Sequence, residues 1–275
     1  MRLKSRLGGV VFIWLALSLP APGEDFPSLF GSRYGEAEGF LSRNAWIAGA
    51  LDLPPLETRI ATAVVFPEIV RFRALEDKIA VRALKVLYVQ YGRKYADFSI
   101  GHFQMKPSFA EQVERDFDRL FSAGEKAEAG EAPLKGRDNA AARAERVRRL
   151  DDLAGQVRYL RMFMLVMNKM HGSAAFRDDR DRLRFYAAAY NSGYGRSAEE
   201  IRRKMTLRNY HLQLIFPAEL YSYTDVAESY YNRRFHPGGE NPPDVPADRP
   251  TPMLQDPRGG ENPGVHRGNP GNPGR

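Results

Sequence analysis

Apolar residues recur at intervals of three and four through most of the middle of the chain, a spacing typical of amphipathic helices. The longest run steps by 3, 4, 3, 4 and 3 residues, and its members are Leu150, Leu153, Val157, Leu160, Met164 and Met167. This run predicts a central helix that ends near Gly172. Strict alternation of apolar and polar residues, which indicates strands, is almost absent. The pattern therefore predicts an all-α fold.

The same spacing predicts five further helices, over residues 56–72, 79–91, 107–121, 182–190 and 218–231. Residues 122–143 lose the apolar periodicity and gain charge. The helices on either side need each other to bury their apolar faces. We therefore expect residues 122–143 to form a flexible excursion within one domain.

The amino-terminal segment differs from the rest of the chain. Residues 1–23 combine a basic start, an apolar run from Leu7 to Leu19 and small residues up to Gly23. This arrangement predicts a cleaved secretory signal, because the apolar run is short for a membrane span. An uncleaved membrane anchor is the alternative. The signal predicts an exported protein, located in the periplasm or cell envelope.

The carboxyl-terminal segment has low complexity. Pro and Gly supply 18 of the 39 residues from Pro237 to Arg275, and aliphatic residues are rare there. Such a segment buries too little surface to offset the entropy of ordering. We therefore expect residues 236–275 to be a disordered tail, which leaves residues 24–235 as the globular domain.

Composition and charge exclude several classes of protein. Without Cys there is no disulfide framework, thiol nucleophile, iron–sulfur cluster or lipid attachment after the signal. The five His residues have no metal-ligand spacing, so we expect neither a metal nor another cofactor. Lys and Arg total 41 against 34 Asp and Glu, a net charge of +7 that favours an anionic partner. Basic and acidic residues are interspersed, which argues against nucleic-acid binding.

Glu68 is the first candidate for chemistry. On a helix it shares a face with Val64, Val65 and Phe72. An apolar face holds a carboxyl group out of water and raises its pKa, as a general acid at neutral pH requires. The alternative is an ordinary helical Glu that reaches solvent or pairs with Arg71. Pro67, directly before it, should distort the turn of the helix.

Two further segments carry polar and aromatic groups. In the first, Gly101 permits close approach of a ligand to the backbone, and Gln104 can donate and accept hydrogen bonds. In the second, Tyr190 and Asn191 end a helix of small residues before Gly193. Alone, the first segment is a loop before a helix and the second is a capped helix end.

In this order, the three segments resemble the motifs of the lysozyme-like lytic transglycosylases of the bacterial cell wall, the SLT-domain family. The matching sequences are the Glu68 helix, Gly-His-Phe-Gln-Met-Lys-Pro at 101–107 and Ala-Ala-Tyr-Asn-Ser-Gly at 188–193. Tyr223 matches the tyrosine of a fourth, weaker motif. The resemblance covers residues 55–232, most of the globular part.

This resemblance implies a lysozyme-like helical fold and one catalytic carboxyl group, Glu68. Glu68 would protonate the glycosidic oxygen between N-acetylmuramic acid and N-acetylglucosamine in peptidoglycan, then deprotonate the muramyl 6-hydroxyl to give a 1,6-anhydro end. The substrate's acetamido group would stabilise the positive charge, so a second carboxylate is unnecessary. The implied substrate-binding residues are Gly101, Phe103, Gln104, Tyr190, Asn191 and Tyr223. The implied partner is the peptidoglycan glycan strand, with no tight membrane association after signal cleavage.

Some positions depart from the family pattern. Ile69 replaces the usual Ser after the catalytic Glu, and Lys106 replaces the usual second Met. Glu68 and Gln104 are 36 residues apart, a longer gap than usual that an inserted helix within residues 77–95 would fill. Two other functions therefore stay open: muramidase hydrolysis at the same site, and a non-catalytic peptidoglycan-binding or scaffold protein.

The remaining acidic residues are weaker candidates. Glu57 and Glu76 lack the apolar surroundings of Glu68, and neither fits the motif. Asp97 lies in the loop and is expected to be structural. If the assignment is right, Glu68 must face a groove that it shares with Gln104 and Tyr190.

Overall fold

The computed structural model describes residues 24–72, 78–130, 138–172, 176–212 and 219–235. The predicted signal at 1–23 and the predicted tail at 236–275 lie outside these residues. No helix in the described ranges combines the length and apolar character needed to cross a membrane.

Helices dominate the described chain, as the apolar spacing predicted. The first six are α1 (Phe26–Phe30), α2 (Ser32–Arg43), α3 (Trp46–Leu51), α4 (Pro55–Phe72), α5 (Lys78–Tyr91) and α6 (Pro107–Leu120). The others are α7 (Ala123–Glu128), α8 (Ala140–Asp151), α9 (Leu153–His171), α10 (Asp179–Ser192), α11 (Ala198–Lys204) and α12 (Tyr223–Phe235). Strands β1 (Arg208–Tyr210) and β2 (Tyr221–Ser222) form one antiparallel pair. The class is all-α.

Helix α4 is the centre of the fold. Nearly every residue from Ile60 to Val70 is buried, because α2, α10 and α12 pack around it. Such complete burial requires a helix that is apolar on almost all sides. The one acidic residue in this buried stretch is Glu68.

The second packing unit is formed by α9 with α6 and α8. Helix α9 carries the Met-rich run, and Met162, Met164 and Met167 fill the core, as their helical spacing suggested. Helix α5 packs on α8. It occupies the long gap between Glu68 and Gln104, where the sequence predicted an inserted helix.

The central helix begins later than the apolar run predicted. Leu150 belongs to α8, and a break follows because the Asp152 side chain accepts a hydrogen bond from the Gly155 N–H and caps α9. At Gly155 a Cβ atom would lie 2.0 Å from the Arg149 carbonyl oxygen, so only glycine fits between the two helices. The predicted end near Gly172 is correct.

The start of the last helix and part of residues 122–143 also differ from the prediction. The last helix was expected from residue 218, but it begins at Tyr223 because residues 221–222 extend and pair with β1. Within 122–143, where a flexible excursion was expected, Ser122 and Glu125 form a capping box that starts α7. Part of this segment, residues 131–137, lies outside the described residues.

Candidate active site

A groove of about 410 Å³ opens between the end of α4, the loop before α6 and the end of α10. Its lining residues are Glu68, Arg71, Arg93, Asp97, Ser99, Gln104, Met105, Lys106, Ser108, Phe109, Gln112, Tyr190, Asn191, Ser192 and Gly193. Glu68, Gln104 and Tyr190 therefore share one groove, the arrangement on which the sequence assignment depended. Each comes from a different one of the three sequence segments.

Glu68 is only 5 % exposed, and its carboxyl group lies at the floor of the groove. Burial raises the pKa of Glu68 to about 7, and the nearby charges of Arg71 and Lys106 lower the pKa by a smaller amount. The carboxyl group is thus close to half protonated at neutral pH. That ionisation state suits a group that must first give a proton and then take one back.

The Glu68 carboxyl has an incomplete set of partners. Its Oε2 lies 3.4 Å from Arg71 Nε, so the pairing that the sequence offered as the alternative is also present. The contact is an ion pair without a hydrogen bond, and neither atom has a hydrogen-bond partner within the described residues. The hydrogen-bonding capacity of this buried oxygen is therefore unused within the described residues.

Two tyrosine hydroxyl groups hold the backbone of α4 around Glu68. Pro67 lies inside the helix and lacks the N–H that would continue the hydrogen-bond ladder. The Tyr210 hydroxyl donates to the Pro67 carbonyl at 2.5 Å, and the Tyr223 hydroxyl donates to the Val64 carbonyl at 2.9 Å. Burial, and then the Glu68 charge, raises the pKa of both tyrosines, so both remain donors.

The structure therefore does not bring Tyr223, an expected substrate-binding residue, to the surface of the groove. Its side chain is 2 % exposed, and its hydroxyl is used on the backbone of α4. Tyr223 supports the helix that carries Glu68. Tyr210, which the sequence analysis missed, has the same role from β1.

In the loop before α6, the backbone adopts a positive φ angle at both Gly101 (71°) and Gln104 (48°). Between them, the Phe103 N–H donates to Gln156 Oε1 at 2.8 Å, and the Phe103 carbonyl accepts from the Tyr190 hydroxyl at 2.7 Å. The peptide groups at Phe103 are thus fixed by α9 on one side and by α10 on the other. This arrangement orients Gln104 toward the groove.

Gly101 and Phe103, two further expected substrate-binding residues, are also absent from the lining. The Phe103 ring is 0 % exposed and belongs to the core. At Gly101 a Cβ atom would lie 2.0 Å from Gln156 Nε2, so this glycine provides space for the side chain that holds the loop. Both residues position Gln104 and Tyr190.

The end of α10 supplies the opposite lining of the groove. Gly193 caps the helix with a φ of 96°, as the sequence predicted for a helix end. The Tyr190 ring packs edge-on against Phe109 at 5.2 Å and Phe163 at 5.5 Å. Asn191 lines the groove, and its side chain makes no hydrogen bond to any described residue. Its amide is therefore open to a ligand.

The other carboxylates have structural partners. Asp97 accepts hydrogen bonds from the Ser108 N–H at 3.0 Å and the Ser108 hydroxyl at 2.8 Å, which caps α6 as expected of a structural residue. Glu57 lies 3.0 Å from Arg182 and accepts a hydrogen bond from Asn168. Glu76 lies outside the described residues. Among those that are described, no three His, Asp or Glu side chains converge in a way that could hold a metal ion.

Arg93 and Gln112 are among the lining residues that no sequence motif marked. Arg93 follows the inserted helix α5, where no motif marks it. Gln112 lies one turn after Phe109 on α6, and this spacing places both on one face. That spacing is the signal that could have identified Gln112.

Comparisons with protein-family models, curated proteins and solved structures return no match for this chain.

Proposed function

We propose that the chain is a peptidoglycan lytic transglycosylase with a lysozyme-like fold. The observation that carries the proposal is the buried Glu68 carboxyl, with a pKa near 7, at the floor of a groove lined by amide and aromatic groups. A single carboxyl group of this kind can serve as the acid and then as the base. The export signal read from residues 1–23 agrees with a substrate outside the cytoplasm.

In the first step, Glu68 donates its proton to the oxygen between the muramyl and glucosaminyl rings as the bond to muramyl C1 breaks. The muramyl acetamido oxygen stabilises the positive charge at C1. In the second step, the Glu68 carboxylate removes the proton of the 6-hydroxyl, whose oxygen bonds to C1. The products are a 1,6-anhydromuramyl end and a free glucosaminyl 4-hydroxyl, with no water consumed.

The other groove residues bind and orient the sugar. The Gln104 side chain donates through Nε2 to the Gly101 carbonyl at 2.7 Å, which leaves Oε1 to accept from a substrate N–H or hydroxyl. Asn191 offers a further amide. Tyr190 supplies an aromatic edge beside Glu68, while its hydroxyl is held by Phe103. Such fixed groups keep the reacting oxygen within reach of the acid.

The identity of the product tests the reaction class. We expect digestion of purified peptidoglycan to give anhydromuramyl ends, 18 mass units lighter than reducing muramic acid ends because no water is added. Mass spectrometry of the soluble products distinguishes anhydromuramyl ends from reducing ends. Reducing ends would show that water replaces the 6-hydroxyl and that the enzyme is a muramidase. Glycan binding without any cleavage would show a non-catalytic peptidoglycan-binding protein.

The activity should depend on pH through Glu68. The first step needs the protonated carboxyl, whose pKa is raised to about 7, so the rate at low substrate concentration should fall as pH rises through 7. The measurement is the initial rate of muropeptide release between pH 5 and 9. An alkaline limb centred near 4.5, the ordinary pKa of Glu, would contradict the role assigned to burial.

A further inference from the structure

The candidate groove carries more positive than negative charge. Its cationic lining residues are Arg71, Arg93 and Lys106, and its acidic ones are Glu68 and Asp97. Arg71 is already paired with Glu68. Both oxygens of Asp97 accept hydrogen bonds from the first turn of α6. Arg93 and Lys106 are thus the two cations of the groove that do not pair with Glu68.

Lys106 is exposed on the groove and makes no hydrogen bond or ion pair with any described residue. Its ammonium is close enough to Glu68 to influence that carboxyl electrostatically. The Lys106 position directly precedes α6, so the backbone is fixed there while the side chain is left unpaired. An unpaired ammonium this near the reacting group is placed to contact a bound ligand.

Arg93 provides a second, partly engaged cation. Its side chain is 50 % exposed, and one guanidinium nitrogen, Nη1, lies 3.5 Å from Glu111 Oε2. A guanidinium carries five N–H donors, so this single contact leaves others for a ligand. The planar N–H pairs of the Arg93 guanidinium fit a carboxylate, and the Lys106 ammonium adds a second positive charge in the same groove.

We propose that Lys106 and Arg93 bind a carboxylate carried by the glycan, so that the groove selects acidic glycan over neutral glycan of the same sugar size. This inference rests on the proposed function and specifies its substrate. Two sources of the carboxylate share this chemistry: the free lactyl group of a bare muramic acid residue, and the peptide attached to a substituted one. A polymer of N-acetylglucosamine alone has neither.

The test measures binding in the Glu68→Gln background, where no glycan is consumed and Lys106 cannot act through the ionisation of Glu68. The probes are three oligosaccharides of equal length: bare muramic-acid-containing glycan, the same glycan with peptides attached, and an N-acetylglucosamine oligomer. We expect Lys106→Met to raise the calorimetric dissociation constant of an acidic probe about fivefold to tenfold. The neutral probe should change less than about twofold, since it lacks the charged contact. The acidic probe that loses more affinity identifies the source of the carboxylate.

Lys94→Met is the matched control, because it removes a neighbouring exposed lysine that is not among the groove-lining residues. It should leave all three dissociation constants unchanged, and Lys106→Arg should retain the preference for acidic glycan. An equal loss for all three probes, or the same loss in Lys94→Met, overturns the inference. If the wild type cleaves peptidoglycan but Lys106→Met keeps the same preference among the probes, this inference fails while the proposed function stands. Absence of binding to every probe overturns the proposed function as well.

Discussion

Glu68→Gln should lower peptidoglycan cleavage by at least about 100-fold, because the amide keeps the shape of the side chain but has no proton to give. The fold should survive, since an uncharged amide replaces a carboxyl that burial already disfavours in its charged form. The measurement combines muropeptide release with the melting temperature of the same preparation. Residual activity within about twofold of the wild type would refute the assignment of the acid.

The same variant makes a second measurement informative. In the folded state burial raises the pKa of Glu68 to about 7, above its ordinary value of 4.5, so the carboxyl binds its proton more tightly in the folded than in the unfolded chain. Its contribution to stability is therefore complete below pH 4.5 and is lost as pH rises through 7. Glu68→Gln removes this dependence, so its melting temperature should equal or exceed that of the wild type at pH 8.

Glu57→Gln is the control on the same helix. Glu57 lies at the other end of α4, away from the groove, where it pairs with Arg182 at 3.0 Å. Its loss should lower the melting temperature and leave cleavage nearly unchanged at a temperature where the variant is folded. The two variants thus separate chemistry from stability on one helix.

Arg146→Ala should give the largest loss of stability, about 3–5 kcal/mol, because it leaves a buried carboxylate without its cation. Arg146 Nη2 lies 2.6 Å from Glu114 Oε2, and both side chains are buried. Arg146 Nη1 also donates to the Tyr88 hydroxyl at 2.7 Å, and Tyr159 donates to Glu114 at 2.5 Å. The network joins α5, α6, α8 and α9. Chemical denaturation of Arg146→Ala and of the wild type measures the difference in their free energies of unfolding.

Arg148→Ala is the matched control, since it removes the same atoms from the same helix at a surface pair with Glu145. Its denaturation midpoint should stay close to that of the wild type. The double variant Arg146→Met with Glu114→Gln should lose less than Arg146→Met alone, because no buried charge is then left unpaired. A single-variant loss no greater than that of Arg148→Ala would contradict the role of the network.

Local sequence spacing accounts for the most important property of Glu68. The apolar residues at positions 64, 65 and 72 lie on the same face of the helix, so burial of the Glu68 face follows wherever that helix enters a core. Helix ends marked by Gly172 and Gly193 were also predictable, because glycine adopts the backbone angles that end a helix at little cost.

Periodicity alone could not locate the break between α8 and α9. The apolar spacing continues through Leu150 and Leu153, whichever helix each belongs to. The break depends on the Asp152 cap and on the close passage of Gly155 past the Arg149 carbonyl. Periodicity could not predict the β1–β2 pair either, because its two strands are too short to show alternation of apolar and polar residues.

Aromatic residues in the candidate motifs were the hardest to assign. Phe103, Tyr190 and Tyr223 are all of types that can stack on a sugar or fill a core. In the structure, Tyr190 lines the groove, while Phe103 and Tyr223 are buried. Residue type does not predict which of these rings is buried and which lines the groove, because burial depends on which neighbours cover the ring.

The sequence by itself determined the all-α class, most helices and the apolar face on which Glu68 lies, because helical spacing acts over a few residues. Only the tertiary structure decided that Glu68, Gln104 and Tyr190 share one groove, since they are separated by 36 and 86 residues along the chain. It also decided that Lys106 lies beside them with no ion-pair partner in the described part of the chain. Contacts of this range depend on how whole helices pack, which no local pattern specifies.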